Sequence, residues 1–216
     1  MGESGETKTS SEHDRPKRAD ARRNLDVVLQ AAMTVFAKSG VDAPMRAIAA
    51  EAGVGVGTLY RHFPQRSDMI KAIIQREVDA CVEAAATLSA AHTPEEALGL
   101  WVERLVDFVG TKRGLGPALH SGDPAYQSLP DYVEGQLTPA LQGLLDTAAA
   151  AGAIRTGINA RELLFACLRL AAPASDGDAA EARRMVALLI DGLRFGAAQF
   201  RNGPTKTPQP PRVRAL

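Results

Sequence analysis

Aromatic residues are scarce in this chain, and long apolar runs are missing. Phe, Trp and Tyr make up 5% of the 216 residues, whereas alanine is abundant, a composition that favours helices over sheets. We expect no transmembrane helix, because no window of about twenty residues is both continuously apolar and uncharged. The N-terminus is polar and charged, which argues against a signal peptide. We therefore expect an all-α protein of the cytoplasm.

Motifs that carry catalytic chemistry are also missing. The sequence contains no HExxH, GxSxG or phosphate-binding glycine loop, and its four histidines are scattered. The two cysteines, Cys81 and Cys167, lie far apart within apolar helical patterns. This placement is typical of reduced core residues, with a disulfide as the less favoured alternative. We predict no enzymatic activity, no metal site and no cofactor.

The charge of the chain is zero overall but unevenly distributed. Between residues 15 and 66, nine basic residues stand against four acidic ones, a surplus of five positive charges. The compensating negative charge lies elsewhere in the chain. A basic segment on a balanced protein suits attraction to phosphates.

Residues 45–63, MRAIAAEAGVGVGTLYRHF, have the pattern of two short helices joined by a turn. Gly53 stands where the chain must turn sharply, and glycine tolerates the positive φ that such a turn requires. Ile48 and Ala49 face inward on the first helix, and Val54 and Leu59 are placed to hold the second helix against it. The small residues Ala49 and Gly53 allow the two helices to cross closely. On spacing alone, a DNA-reading helix-turn-helix and an ordinary αα-hairpin fit equally well.

The wider stretch resembles the N-terminal domain of TetR-family transcriptional regulators. The resemblance covers residues 22–74 and lies in an AA…F…G helix, an IA…AGV…TLY.HF core and a following amphipathic helix; GTLYRHF is its most specific part. It implies an N-terminal three-helix DNA-binding domain and a C-terminal helical domain for ligand binding and dimerisation. It also implies a repressor that binds a palindromic double-stranded DNA operator as a homodimer and is released by a small-molecule effector.

Together, the residues and the resemblance predict a set of DNA-binding positions: Arg22, Arg46, Gly55, Thr58, Tyr60, Arg61, His62 and Arg66. Arg46, Thr58 and His62 are the best candidates for base edges, whereas Tyr60 is better suited to phosphate. Arg66 stands where relatives carry a phosphate-binding lysine. Gly55 replaces their Ser or Thr and brings only a backbone donor. Arg22 falls in the first turn of a helix expected over residues 20–38, where a phosphate or plain solvation is equally consistent.

Composition and periodicity divide the chain into four expected parts. These are a disordered basic arm (1–18), the helix-turn-helix domain (19–66), a helical effector-binding and dimerisation domain (67–202) and a disordered Pro-rich tail (203–216). The last two helices are apolar over much of their circumference and need a partner on a second side. A homodimer interface would supply that partner, although central burial in a monomer is the alternative.

The larger or polar-tipped side chains expected in the interior of the C-terminal domain are candidate effector contacts: Trp101, Phe108, His120, Tyr126 and Phe165. Each of them fits a plain core position as well. A second function also fits the sequence, namely a constitutive DNA-bound scaffold that recruits a protein partner. Either protein would be cytoplasmic and associated with the nucleoid when bound to DNA.

Overall fold

A computed structural model describes residues 14–111, 115–119, 121–172 and 179–194. Over these residues the chain forms nine α-helices and no strand, which confirms the all-α fold class. The helices are α1 (Asp14–Ser39), α2 (Met45–Ala52), α3 (Val56–His62), α4 (Arg66–Ala91), α5 (Pro94–Thr111), α6 (Gly116–Leu119), α7 (Leu129–Ala150), α8 (Ala160–Ala171) and α9 (Ala179–Arg194). A short 3₁₀ helix, Pro124–Tyr126, precedes α7.

The chain divides into two compact units. The first, here called the N-terminal unit, consists of Met1–Glu77 and Thr111–Tyr132. The second, here called the C-terminal unit, consists of Val78–Gly110 and Val133–Leu216. The four-part division expected from the sequence remains a prediction, with most of its arm and all of its tail outside the described residues.

Helix α1 begins at Asp14, so the expected start near residue 20 is wrong. Polar residues such as Arg15, Lys17 and Arg18 are good helix formers even without an apolar pattern, and Pro16 is tolerated in a first turn. Arg22 consequently lies more than two turns inside the helix rather than in its first turn. The dipole argument for a phosphate at Arg22 therefore no longer applies.

The N-terminal unit has its core where α1, α2 and α3 pack together. Helix α1 buries Leu29 and Phe36 and ends at Ser39, because Gly40 adopts a left-handed φ of 76°. The Gly40 N–H donates to the Phe36 carbonyl at 2.9 Å, which satisfies one of the last helical acceptors. Helix α2 contacts both α1 and α3, so the helix-turn-helix is anchored to the longest helix of its unit.

Helix α5 of the C-terminal unit begins with a reciprocal cap between Thr93 and Glu96. The Thr93 hydroxyl accepts from the Glu96 N–H at 3.4 Å and donates to the Glu96 carboxylate at 2.8 Å; that carboxylate also accepts from the Thr93 N–H at 3.1 Å. This arrangement is a capping box, in which a Thr and a Glu three residues later satisfy each other's backbone N–H groups. The hydroxyl and N–H of Thr93 hold the pKa of Glu96 below its ordinary value. Further along, α8 is capped by Asn159 and packs on α9.

Both cysteines are buried and reduced, Cys81 in α4 and Cys167 in α8, as the sequence indicated. Within the described ranges, no helix is both long and apolar enough to cross a membrane. The same part of the chain holds no cluster of side chains suited to a metal ion.

Candidate nucleic-acid interface

The turn between α2 and α3 is built on Gly53. This residue has a φ of 68°, a conformation that glycine adopts without the steric cost of a Cβ. Its N–H donates to the Ala50 carbonyl at 3.2 Å, and the Val54 N–H donates to the Ala49 carbonyl at 3.0 Å. The chain is then extended at Gly55, with φ −68° and ψ 139°, and α3 starts at Val56. The predicted turn is confirmed, and both helices lie within residues 45–63 as expected.

Helix α3 buries a single side chain, that of Leu59, which is 1% exposed. Ile48 and Ala49 of α2 are equally buried, and α2 packs on α3. The other six residues of α3 are exposed. A seven-residue helix with one buried side chain has little use as a core element. Its geometry instead displays side chains outward.

The predicted base-reading and phosphate-binding residues of this segment are brought together on its exposed surface. Arg46 is exposed on α2, and Gly55 caps α3 through its backbone. Thr58, Tyr60, Arg61 and His62 all lie on the exposed part of α3.

Arg46 and Arg61 form no ion pair with any residue that the structure describes, whereas Arg76 of α4 pairs with Asp26 of α1 at 3.4 Å. Helix α3 itself contains no acidic residue. The exposed surface of α2 and α3 carries Arg46 and Arg61 against one exposed carboxylate, that of Glu51, and so has a small surplus of positive charge. Such a surplus favours contact with a phosphate backbone.

Arg66, at the start of α4, is placed differently from the other predicted DNA contacts. Its side chain is half-buried, and its Nη1 donates to the Ala43 carbonyl at 2.9 Å, in the connection between α1 and α2. This bond joins the start of α4 to the segment that leads into the helix-turn-helix. Arg22 lies in α1, but its side chain is outside the described residues.

Two exposed residues of α3, Val56 and Gly57, were not among the predicted contacts. Val56 is 40% exposed, a large fraction for a valine at the start of a helix that packs on a core. The signal in the sequence was a lone aliphatic residue between two glycines, at the beginning of the second helix.

The described candidates for effector contacts are distributed over α5, α8 and the short 3₁₀ helix. Trp101 and Phe108 of α5 are buried, and the indole Nε1–H of Trp101 donates to the Cys81 carbonyl at 2.8 Å. Phe165 of α8 is half-buried, with the Arg161 guanidinium carbon 5.0 Å from its ring centroid. Tyr126 lies in the N-terminal unit instead. Burial, and then the charge of Asp123, raise the pKa of the Tyr126 phenol. The fifth residue, His120, falls outside the described residues.

A cleft of about 340 Å³ lies between α5 and α9, within the C-terminal unit. Its walls include the apolar side chains of Val102, Val106, Val186 and Ile190, and charged residues also line it. The four described candidates, Trp101, Phe108, Tyr126 and Phe165, are absent from its lining. The sequence missed this cleft because the two helices that form it are far apart in the chain.

Helices α2 and α3 are short and are joined by a turn at a glycine, and α3 is exposed and contains basic but no acidic residues. These features define a DNA-binding protein of the helix-turn-helix class. Comparison with known proteins agrees with this assignment to the helix-turn-helix class. Residues 28–73 match the family described as bacterial regulatory proteins, tetR family. Residues 93–195 match that described as transcriptional regulator SbtR-like, C-terminal domain. The chain belongs to the TetR family of transcriptional regulators, whose members are not enzymes.

Similar solved structures extend this likeness over most of the chain. A TetR transcriptional regulator from Streptomyces coelicolor is 40% identical, with a TM-score of 0.67, over 79% of this chain and 98% of that one. A TetR regulatory protein from Mycobacterium vanbaalenii is 35% identical, with a TM-score of 0.66, over 83% and 99%. Curated regulators match over a shorter span. An HTH-type transcriptional regulator of Staphylococcus aureus is 43% identical over 63 residues, which are 29% of this chain and 34% of that protein.

Proposed function

We propose that this regulator is a repressor that binds a palindromic operator as a homodimer and leaves it when a small-molecule effector binds. The observation that supports DNA reading most strongly is α3, which exposes every side chain except that of Leu59. Such a helix fits the major groove, where its first residues reach base edges. A protein with this function acts at the nucleoid.

Within the interface, we assign base contacts to Arg46, Thr58 and His62. Tyr60 and Arg61 are assigned to phosphates, and Gly55 offers its backbone N–H. Arg66 uses Nη1 for the Ala43 carbonyl, and its other guanidinium N–H groups have no described partner and can donate to a phosphate. Arg22 is retained as a phosphate contact on charge alone, because its helix-dipole argument has been lost.

The apolar surface of α8 and α9 supports the homodimer. Leu188 is 67% exposed and Met185 is 42% exposed on α9, while Leu170 is 39% exposed on α8. The opposite side of α9 buries Val186 and Ile190, so this helix is apolar on two sides. Large exposed aliphatic side chains on two packed helices favour association with a second copy.

Effector binding is supported by the cleft between α5 and α9, whose volume lies at the low end of the range for small-molecule sites. Bacillus subtilis FadR, a transcriptional regulator of similar fold at 18% identity and a TM-score of 0.61, has been solved in complex with stearoyl-CoA. We propose this cleft as an effector site alongside the predicted contacts Trp101, Phe108, His120, Tyr126 and Phe165.

Selection of randomised duplex DNA by the purified protein, with sequencing after enrichment, tests the proposal. We expect an enriched inverted repeat, since a two-fold symmetric dimer places two identical helices on related half-sites. Arg46→Ala should weaken enrichment, whereas the matched control Arg155→Ala, an exposed arginine of the C-terminal unit, should leave it unchanged. No enrichment at low salt would reject DNA reading by the protein alone.

Effector release needs a separate measurement on the enriched operator. A screen of metabolites should find compounds that lower operator affinity, and mutations in the α5–α9 cleft should remove the response without changing operator affinity in the absence of a compound. If operator binding is insensitive to every compound and a stoichiometric protein partner copurifies, the chain is instead a constitutive DNA-bound scaffold.

A further inference from the structure

Val56 is the only aliphatic side chain on the exposed surface of α3. It is the first residue of the helix and is 40% exposed, whereas the one other aliphatic residue of α3, Leu59, is 1% exposed. The remaining exposed positions of α3 carry polar or aromatic side chains or are glycine. Val56 therefore contributes little to the core. Its isopropyl group is instead available to a partner that approaches α3.

The residue next to Val56 supports such an approach. A Cβ placed on Gly57 meets no atom within 4 Å, and Gly57 does not adopt a positive φ. Neither the packing of the chain nor its backbone conformation therefore requires glycine here, although glycine lowers helix stability relative to alanine. Without a side chain at Gly57, the space between Val56 and Thr58 is open to solvent. A partner surface can reach the helix backbone at this point.

The major groove of DNA exposes an apolar group against which the Val56 side chain can pack. Base edges in this groove offer hydrogen-bond donors and acceptors, and thymine adds an apolar group, its C5 methyl. An isopropyl side chain cannot form hydrogen bonds but can bury that methyl. The first residues of a recognition helix are also those that reach base edges.

We propose that Val56 contacts the C5 methyl of one thymine in each half-site, and that Gly57 allows the DNA to come close enough for this contact. The proposal rests on the DNA-reading function and deepens it, because it names one base and the group that is recognised. Val56 is a specificity-determining residue in this arrangement. The polar residues of α3 form their hydrogen bonds to the DNA beside this apolar contact.

Uracil substitution in the operator tests the contact directly, because uracil differs from thymine only by the C5 methyl. In the enriched operator, each thymine is replaced in turn by uracil, and affinity is measured with the unmodified full-length protein. One position per half-site should lose about fourfold in affinity, the value that corresponds to one buried methyl or methylene group. If no single position is sensitive, the proposal is wrong, and this result does not depend on the folding of any variant.

The complementary variant is Val56→Ala. It should weaken binding to the thymine operator by a similar factor and show no further loss on the uracil operator at the sensitive position. Val27→Ala is the matched control, since Val27 is a valine of α1 in the same unit that is 53% exposed. That control should keep the full sensitivity to uracil. Equal weakening of both operators by Val56→Ala would assign Val56 to helix stability and overturn the contact.

Gly57→Ala tests the approach of the DNA. Alanine should leave the midpoint of thermal unfolding unchanged or raise it, yet weaken operator binding because the added methyl group stands where the DNA must come close. Unchanged affinity would remove Gly57 from the proposal. A selection that enriches no sequence would reject DNA reading itself, whereas an enriched operator with no uracil-sensitive thymine would reject only the role of Val56.

Discussion

Helix α3 of the N-terminal unit and helix α5 of the C-terminal unit use their large side chains in opposite ways. In the N-terminal unit, α3 exposes Tyr60 to 50% and turns its arginine and histidine to solvent. In the C-terminal unit, Trp101 is fully buried and hydrogen-bonded, and Phe108 is 2% exposed. Exposed side chains can be changed at little cost to the fold, whereas enclosed ones cannot. Substitutions in α3 should therefore alter binding first, and substitutions at the α5 aromatics should alter stability first.

Trp101→Ala is expected to have the largest effect. Removing a buried tryptophan leaves a cavity and should lower the free energy of unfolding by about 3–5 kcal/mol. Urea denaturation followed by circular dichroism measures this change. Phe165→Ala, at a half-buried position, should cost less. If Trp101→Ala left stability intact and changed only the effector response, Trp101 would be a ligand contact and the contrast between α3 and α5 would fail.

Arg46→Ala should change specificity rather than stability. Loss of a base contact should relax the preference at one position per half-site by about 1–3 kcal/mol. Binding to an operator library, with the variant and the unmodified protein in parallel, measures this effect. Thermal unfolding should be unchanged, because Arg46 is exposed and has no described ion pair. A uniform loss across all sequences would place Arg46 on phosphate.

Arg66→Ala tests a residue that we expect to affect both stability and DNA binding. Loss of its hydrogen bond to the Ala43 carbonyl should cost about 1–2 kcal/mol of stability. It should also weaken binding to all sequences and lower the salt dependence by about one unit of slope if its remaining N–H groups reach a phosphate. Tyr60→Ala should weaken binding without the loss of stability. An unchanged salt slope for Arg66→Ala would mean that Arg66 only positions the α1–α2 connection.

Thr93→Ala should have a smaller effect, confined to stability. The variant removes both hydroxyl bonds of the capping box that starts α5 and should cost about 1 kcal/mol. Chemical denaturation measures this loss, and operator affinity should be unchanged. Thr147→Ala is a control, because that hydroxyl donates to a helix carbonyl rather than capping a helix.

Cys167→Ala should have the smallest effect, a change in stability that is limited to alkaline pH. Burial raises the pKa of the Cys167 thiol from 9.0 to about 11. The unfolded chain therefore ionises at lower pH than the folded one, and the stabilisation from the neutral thiol is complete below pH 9 and declines as pH rises through about 11. Stability should fall less over this interval in Cys167→Ala. Fast alkylation of Cys167 in the folded protein at pH 8 would show that the thiol is accessible.

How much could be predicted from the sequence depends on how local each feature is. The Gly53 turn and the pair of short helices within residues 45–63 depend on neighbours within one or two turns, so their residue pattern was sufficient. The start of α1 was missed because polar residues extend a helix without an apolar signal.

The features that could not be predicted depend on distant segments. The cleft requires α5 and α9 to face each other, and no spacing within either helix encodes their pairing. The hydrogen bond of Arg66 requires a carbonyl 23 residues earlier in the chain. Tyr126 was grouped with the residues of the C-terminal unit, but its segment packs in the other unit.

The single tryptophan has an optical consequence. Trp101 lies in the C-terminal unit, while all three tyrosines, Tyr60, Tyr126 and Tyr132, lie in the N-terminal unit. Excitation at the red edge of the ultraviolet absorption band therefore selects emission from one unit of the natural protein. An indole shielded from water emits at short wavelength, and its emission shifts to the red if the interior opens. The chain thus carries an intrinsic fluorescent reporter of its C-terminal unit, and no label is needed to follow that unit during DNA or effector titrations.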